Sequence, residues 1–364
     1  MAVFSLALAA WSYVFYPPIL RALSRGAVDR PAGGQPPASI EVLVSAADEE
    51  SVIADRVRNL LDQTVRGSYR VTVGCDGSTD RTGDRAREAG DARVAVVEFS
   101  TRRGKAAVLN DLIAASESEL LVFTDANTRF EPGAVECLTS VFVDSEIGAA
   151  CGRLILDASE PESAFWDRET RLKESEGRLG VCLGANGAIY AARRQDVEPL
   201  ATDTAMDDFL IPLHVSRRGR QVVFVGDAVA REQGPADVRH EMDRRFRIGV
   251  GAGQVLRRET WLYAFWRHPI LSFAFVSRKL ARWLAPVAAL AALAAAGLSP
   301  SLHWAGWIGL AAALLAAISV LARPRPRGVL GRLYYFAVMN LALSSGVVAG
   351  LFGASRAIWK PAKR

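Results

Sequence analysis

Cysteine is scarce in this 364-residue chain, and the four present (Cys75, Cys137, Cys151 and Cys182) stand far apart. No CxxC or Cys/His spacing links them, which excludes a disulfide frame and a zinc site and fits a reducing compartment. Histidine is equally sparse. His214, His240, His268 and His303 accompany no Ser/His/Asp order, so each reads as a packing or interfacial residue rather than a catalytic one. No GxGxxG follows the first apolar strand, so the phosphate turn of a dinucleotide-binding fold is missing. Charge of either sign is absent from residues 1–20, and the formal net charge is only +5. The basic residues cluster beside apolar segments, which points to a membrane surface and away from nucleic acid.

What is abundant is apolar sequence: half the residues are hydrophobic, concentrated at the two ends. Residues 1–20, MAVFSLALAAWSYVFYPPIL, are long enough to cross a hydrocarbon core of about 30 Å at 1.5 Å per residue. We expect an anchor here with the N-terminus outside, followed by a linker over 21–39 whose PAGGQPPA stretch frees the next domain. Residues 236–283 carry Arg244, Arg245, Arg247, Arg257 and Arg258, then aromatic residues alternating with Arg267, Arg278, Lys279 and Arg282. They read as interfacial helices, whose first arginines form either a solvated basic helix or an anion clamp, since Arg forks match phosphate oxygens. Residues 284–355 read as transmembrane helices, with Leu284–Pro300 and Leu302–Ala322 forming a hairpin. The arginine-rich loop 323–332 is expected on the cytoplasmic side. Whether Leu333–Ser355 spans again or re-enters is open, because spanning would place the basic tail 356–364 outside. These segments hold almost no ionisable residues, which argues against a transporter.

Residues 40–235 read differently. Short apolar runs over Ile40–Ser45, Arg70–Gly74, Val94–Phe99 and Leu120–Phe123 alternate with helical patterns. Val52, Ile53, Val57, Leu60 and Leu61 share one helical face, and Gly104-Lys105 opens another helix. Strand and helix in this order predict a mainly parallel α/β sheet with right-handed crossovers. Further strands are expected at Gly148–Leu156 and Val222–Val225, and helices over Pro161–Leu179 and from Asp207-Asp208 onward.

In such sheets ligands sit beyond the carboxyl ends of the strands. The run LLVFTDANTRF ends there in Asp125 and Asn127, a spacing suited to a hard divalent cation shared with phosphates or to a plain acidic turn. Asp48 and Glu49 follow the first strand and Asp76 the second. Asp207 and Asp208 open a helix, where the dipole favours carboxylates and capping is the simpler reading.

These segments together resemble the family 2 glycosyltransferases, whose nucleotide-sugar domain has the GT-A fold. IEVLVSAADEE resembles the opening strand, CDGSTDRT the DDGSTDxT segment and RRGKAAVLN the xxGKxxALN segment. FTDAN stands at the DxD position, GANGAIYAARR at the acceptor-side glycine turn, AMDDFLIPLHVSRRG at the (T)ED segment and EMDRRFRIG at Q/RxxRW. The resemblance implies donor binding by Asp48, Glu49, Asp76, Lys105, Asp125, Arg244 and Arg247, with Asp76 on the base and the arginines on the diphosphate. It implies Mg²⁺ or Mn²⁺ at Asp125 and Asn127, Asp208 as general base beside Asp207, and Asn186 and Gly187 on the acceptor side. Departures are Ser45 for proline, Asp48 for asparagine, Asn127 for the second carboxylate, Asp207 for Glu and Ile248 for Trp.

The activity implied is inverting transfer of a hexose or N-acetylhexosamine from a UDP-type donor. The acceptor would be a polysaccharide or lipid-linked saccharide, at the cytoplasmic face of a bacterial-type inner membrane and among its lipids. Transfer to polyprenyl phosphate, or a non-catalytic assembly protein on the same fold, are the alternatives.

Overall fold

A computed structural model describes residues 7–26, 34–157, 160–233, 238–298, 304, 306–309, 311 and 328–354. The chain divides into two compact units. One is built on Leu20–Gly234, the other on Pro235–Arg356 together with Met1–Ile19.

Within the first unit, helix α1 (Tyr16–Arg25) leads in from the other unit, and the sheet begins at β1 (Ser39–Ala46). There follow α2 (Ile53–Leu61), β2 (Ser68–Asp76), α3 (Thr82–Ala89), β3 (Val94–Phe99), α4 (Lys105–Ala115) and β4 (Leu120–Asp125). The second half comprises β5 (Arg129–Phe130), α5 (Ala134–Ser140), β6 (Ile147–Asp157), α6 (Glu160–Arg178), β7 (Tyr190–Arg193), α7 (Asp207–Arg217) and β8 (Gln221–Gln233). The strands form one sheet in the order β3-β2-β1-β4-β7-β6-β8-β5. It is parallel from β3 to β4 and between β6 and β8, while β7 runs antiparallel to both its neighbours.

The parallel half forms because its strands are apolar on both faces. Ile40, Val42, Leu43 and Val44 of β1 and Leu120 to Phe123 of β4 are buried without alternation. In α2, Ile53, Val57 and Leu60 recur at helical spacing and are wholly buried, each contributing about 1.5–3 kcal/mol. Phe123 and Tyr190 pair across β4 and β7, with stacked rings 4.6 Å apart, so the antiparallel strand is pinned to the central one.

Arg56 of α2 lies in this core, its guanidinium 4.2 Å over the Phe130 ring. It donates to Thr124 Oγ1 at 2.6 Å, and Thr124 Oγ1 donates in turn to the Ala188 carbonyl at 2.6 Å. Burial pushes this guanidinium down to about 9. The chain of bonds ties the end of β4 to the turn preceding β7.

The second unit contains α8 (Val238–Arg258), α9 (Pro269–Gly297, with a π-helical turn at Phe275–Leu280) and α10 (Gly328–Leu351). Among the described residues, α9 alone is long and apolar enough to cross a membrane, and a shorter apolar helix runs over Val338–Leu351. Helix α9 begins well before the apolar run at Leu284, and one of the charges that marked 269–283 as interfacial finds partners inside the unit. Arg282 donates to Ser12 Oγ at 3.0 Å and lies 4.5 Å over the Tyr13 ring. Helices α8 and α10 touch through glycines. A Cβ on Gly249 would come within 2.3 Å of the Leu343 carbonyl, and one on Gly253 within 2.4 Å of that of Val347. The first six residues of the expected anchor, residues 27–33 of the linker, most of 302–322, positions 323–327 of the arginine-rich loop and the tail 356–364 lie outside the described residues.

Candidate active site

The register of the sheet brings the acid-bearing strand ends level. Ser45 pairs with Asp125, and Ala46 with Cys75, so the loops carrying Asp48, Asp76 and Asp125 leave β1, β2 and β4 side by side. All three acids are engaged by the protein itself. Asp76 is buried, and its two oxygens accept from the backbone N–H groups of Arg103 (2.7 Å) and Gly104 (2.8 Å). Gly104 has φ +92°, a conformation that favours glycine, and the next residue starts α4. Asp76 therefore sets where Lys105 begins its helix.

Asp48 is the non-glycine residue with positive φ (+54°) among the described residues. Its Oδ1 accepts from the Thr79 N–H at 2.8 Å and its Oδ2 from Arg102 at 2.6 Å. The Thr79 bond, and Arg102 beside it, hold this carboxyl below its ordinary range. Glu49 is buried next to it, its own N–H donating to Thr82 Oγ1 at 2.8 Å.

The centre of the cluster is Lys105. Its Nζ lies 2.8 Å from Asp125 Oδ1 and 3.1 Å from Asp207 Oδ2, joining the start of α4 to the end of β4 and the start of α7. Burial works against the ammonium, but Asp125 and Asp207 outweigh it and raise its pKa. Asp207 also accepts from the buried Tyr190 hydroxyl at 3.3 Å.

Asp208 differs from its neighbour. Among the described residues its carboxylate makes no hydrogen bond or ion pair, and burial, then Asp207, raise its pKa, while the more distant Lys105 and Lys173 act to lower it. Its Oδ2 lies against Gly187. A Cβ placed there would sit 3.4 Å from both Asp208 Oδ2 and Asp125 Oδ2, so the absent side chain leaves open the space between two carboxylates. Asn186 is turned the other way. It is buried, its amide nitrogen donating to the Gly152 carbonyl at 2.7 Å and its oxygen accepting from Lys173.

An acidic, cation-bridged cluster at the carboxyl edge of a sheet recurs in several enzyme classes, so geometry alone does not name this one. A family model, glycosyltransferase like family 2, matches residues 36–251. The chain belongs to that family.

The glycosyltransferase is 23% identical over 214 residues to an N-acetylglucosaminyltransferase of Azorhizobium caulinodans, covering 53% of this chain and 54% of that one. It is 37% identical over 173 residues to succinoglycan biosynthesis protein ExoU of Rhizobium meliloti, covering 44% and 49%. The matched region thus spans about half the length of these curated relatives. Among solved structures it is similar to mannosyltransferase PcManGT from Pyrobaculum calidifontis, in complex with GDP-Man and Mn²⁺. The TM-score is 0.66 at 22% identity, over 96% of this chain and 99% of that one. That likeness establishes the GT-A fold.

Of the residues singled out in this glycosyltransferase's sequence, the fold brings Lys105, Asp125, Asp207, Asp208 and Gly187 into one cluster, with Asp48, Glu49 and Asp76 on the adjoining loops. Asn127 stands in the turn after β4, half-buried, and its amide makes no hydrogen bond among the described residues. Arg244 and Arg247 belong to α8 in the second unit, where Arg244 reaches the buried Glu241 at 3.3 Å.

Sequence reasoning missed Tyr190, Arg102 and Lys173. Tyr190 sits in a strand of small residues with no alternation to mark it. Lys173 lies in the stretch DRETRLKESEGR, where the density of charge marks a helix but singles out no one residue. The available signal was the thinness of that helix's apolar stripe, which leaves Glu169, Lys173 and Glu176 to be buried beside Leu172.

Proposed function

We propose that the chain is an inverting glycosyltransferase in which Asp208 is the general base. The observation that carries this is the contrast within the Asp207-Asp208 pair. Asp207 is held by Lys105 and Tyr190, whereas the carboxylate of Asp208 is unengaged among the described residues and faces the opening over Gly187. An acceptor hydroxyl is a poor nucleophile, and removal of its proton by a positioned carboxylate contributes about 10²–10⁴-fold. Attack from the face opposite the leaving diphosphate inverts the anomeric centre, as in single-displacement glycoside chemistry.

Lys105 would offer its charge to the donor diphosphate while keeping Asp125 and Asp207 in place. Asp48 and Asp76, bonded to backbone, would shape the nucleotide-side loops, with Glu49 lining them. Arg244 and Arg247 are proposed for the diphosphate on the sequence resemblance alone. Gly187 would leave room for the donor sugar and incoming acceptor.

A divalent metal, Mg²⁺ or Mn²⁺, fits the donor set. Oδ2 of Asp125 and the Asn127 amide are oxygen donors without a protein hydrogen bond among the described residues. One or two protein oxygens suit a hard cation that takes its other ligands from water and phosphates. Bound there, the metal would supply positive charge for the departing diphosphate.

The relatives' names support a hexose or N-acetylhexosamine from a nucleotide donor, UDP being our choice, passed to a growing polysaccharide or lipid-linked saccharide. The apolar helix α9 supports work at a membrane, with the catalytic unit on the cytoplasmic side of a bacterial-type inner membrane.

Nucleotide release by the detergent-purified protein tests this reading, using UDP- and GDP-sugars with Mn²⁺, with and without a membrane lipid extract. Release from one donor, absent in Asp208→Asn although that variant still binds nucleotide, is the expected result. Normal turnover by Asp208→Asn would overturn the base assignment. Dependence on the lipid extract would place the acceptor among lipids.

A further inference from the structure

Lys173 lies on α6, buried, in none of the segments that carry the family resemblance. Its hydrogen bonds among the described residues go to the Asn186 amide oxygen and, at 3.9 Å, to Cys151 Sγ, and no carboxylate pairs with it directly. A buried ammonium bonded only to an amide and a thiol is costly to keep, and a surface position on the same helix would avoid that cost. What it holds is therefore informative.

Asn186 is fixed from three sides. Lys173 takes its oxygen, its Nδ2 donates to the Gly152 carbonyl at 2.7 Å, and its backbone N–H donates to Cys151 Sγ at 3.3 Å. On one side of it, the Ala185 N–H donates to the Asp208 carbonyl at 2.9 Å. On the other, Gly187 presents its bare face to the carboxylates of Asp208 and Asp125. The turn 184–187 is thus bolted to β6 by Asn186 and to the head of α7 by Ala185.

We infer that Lys173 is a positioning residue for sugar transfer, fixing Asn186 so that the Gly187 turn and the Asp208 carboxylate keep their relative places. The inference rests on the reading of Asp208 as base. Without Lys173 the Asn186 oxygen is left buried and unsatisfied, and the turn is free to shift. A displacement of about 1 Å at a reacting group costs on the order of 100-fold in rate. The charge acts in the same direction: Lys173 opposes the rise in the Asp208 pKa that burial and Asp207 impose.

The test compares Lys173→Met, Asn186→Ala, the double variant and Asp208→Asn for transfer kinetics, nucleotide affinity and thermal stability. Lys173→Met is expected to lower kcat by about 10- to 100-fold with nucleotide Kd unchanged. The double variant is expected to be no worse than the poorer single one, because both remove the same link. Lys173→Gln, which keeps a donor without the charge, is expected to recover part of the loss and serves if the methionine variant does not fold.

Wild-type kcat in Lys173→Met with Asp208→Asn inactive would overturn the inference and leave the base assignment standing. So would additive losses in the double variant, or a loss of kcat matched by equal losses of nucleotide binding and stability. Activity in Asp208→Asn would remove the base assignment and the inference with it.

Discussion

Lys105 and Asp125 stand 2.8 Å apart, Nζ to Oδ1, at the junction of a helix start and a strand end. On the reading proposed above, the pair places a cation between the donor diphosphate and a carboxylate. Lys105→Met removes that cation and leaves Asp125 and Asp207 facing each other. A charge-assisted hydrogen bond is worth about 1.5–3 kcal/mol, so the donor KM is expected to rise about 10- to 100-fold. Initial rates against donor concentration measure it, and an unchanged KM would refute a role for Lys105 at the diphosphate.

Metal removal has an expected signature. Excess chelator should abolish nucleotide release, and added Mn²⁺ or Mg²⁺ should restore it. Asn127→Ala is expected to raise the half-saturating Mn²⁺ concentration about tenfold, equivalent to about 1.4 kcal/mol. Full activity in chelator would remove Asp125 and Asn127 from any metal role.

With Asp208 as the proposed base, the pH profile follows from its surroundings. Burial, then the neighbouring Asp207 charge, raise its pKa, and only the ionised form accepts a proton. Activity should therefore fall as pH drops through a midpoint above the ordinary aspartate value of about 3.9. In Asp207→Asn the neighbouring negative charge is gone, so the acid limb of kcat/KM should move to lower pH. A limb that stays in place, or moves up, would show that Asp207 does not act on the base.

Glycine in mid-helix usually costs about 1 kcal/mol relative to alanine, so replacing one tends to stabilise. Gly249 should behave in the opposite way, because its Cβ would meet the Leu343 carbonyl and Cα of Gly346. Gly249→Ala is expected to destabilise by about 1–3 kcal/mol through overpacking, and Gly249→Val by more. Thermal unfolding in detergent reads the sign directly.

The parts of the fold legible in the sequence are those that local chemistry decides. β1 to β4 are apolar on both faces and end in acids, so position and polarity agree, and Lys105 was visible because Gly104 precedes it at a helix start. β8 was read only as far as Val225, because the polar continuation GDAVAREQ looks like a loop. Pairing with β6 on one side and β5 on the other carries it to Gln233. β7 was missed because its small residues gain their place from Phe123 and Tyr190 stacking across strands. Asp48 and Asp76 are read in the sequence as candidate site acids, but their bonds to backbone depend on loops closing together, and no spacing along the chain reports that. Lys173 was invisible for the same reason. A lysine in a charged helix is ordinarily solvated, and only tertiary packing turns this one inward.

The glycine contact between α8 and α10 also imposes an order in time. The helix carrying Arg244 and Arg247 is synthesised before the whole of Pro269–Gly297, and the surface against which it seats is translated only afterwards. Until Gly346 and Gly350 emerge, the backbone of α8 lacks this close glycine contact, so the arginines are set in place only after α10 has been made. A nascent chain halted before Gly328 should accordingly show α8 open to limited proteolysis, with protection gained only when the last described helix is complete.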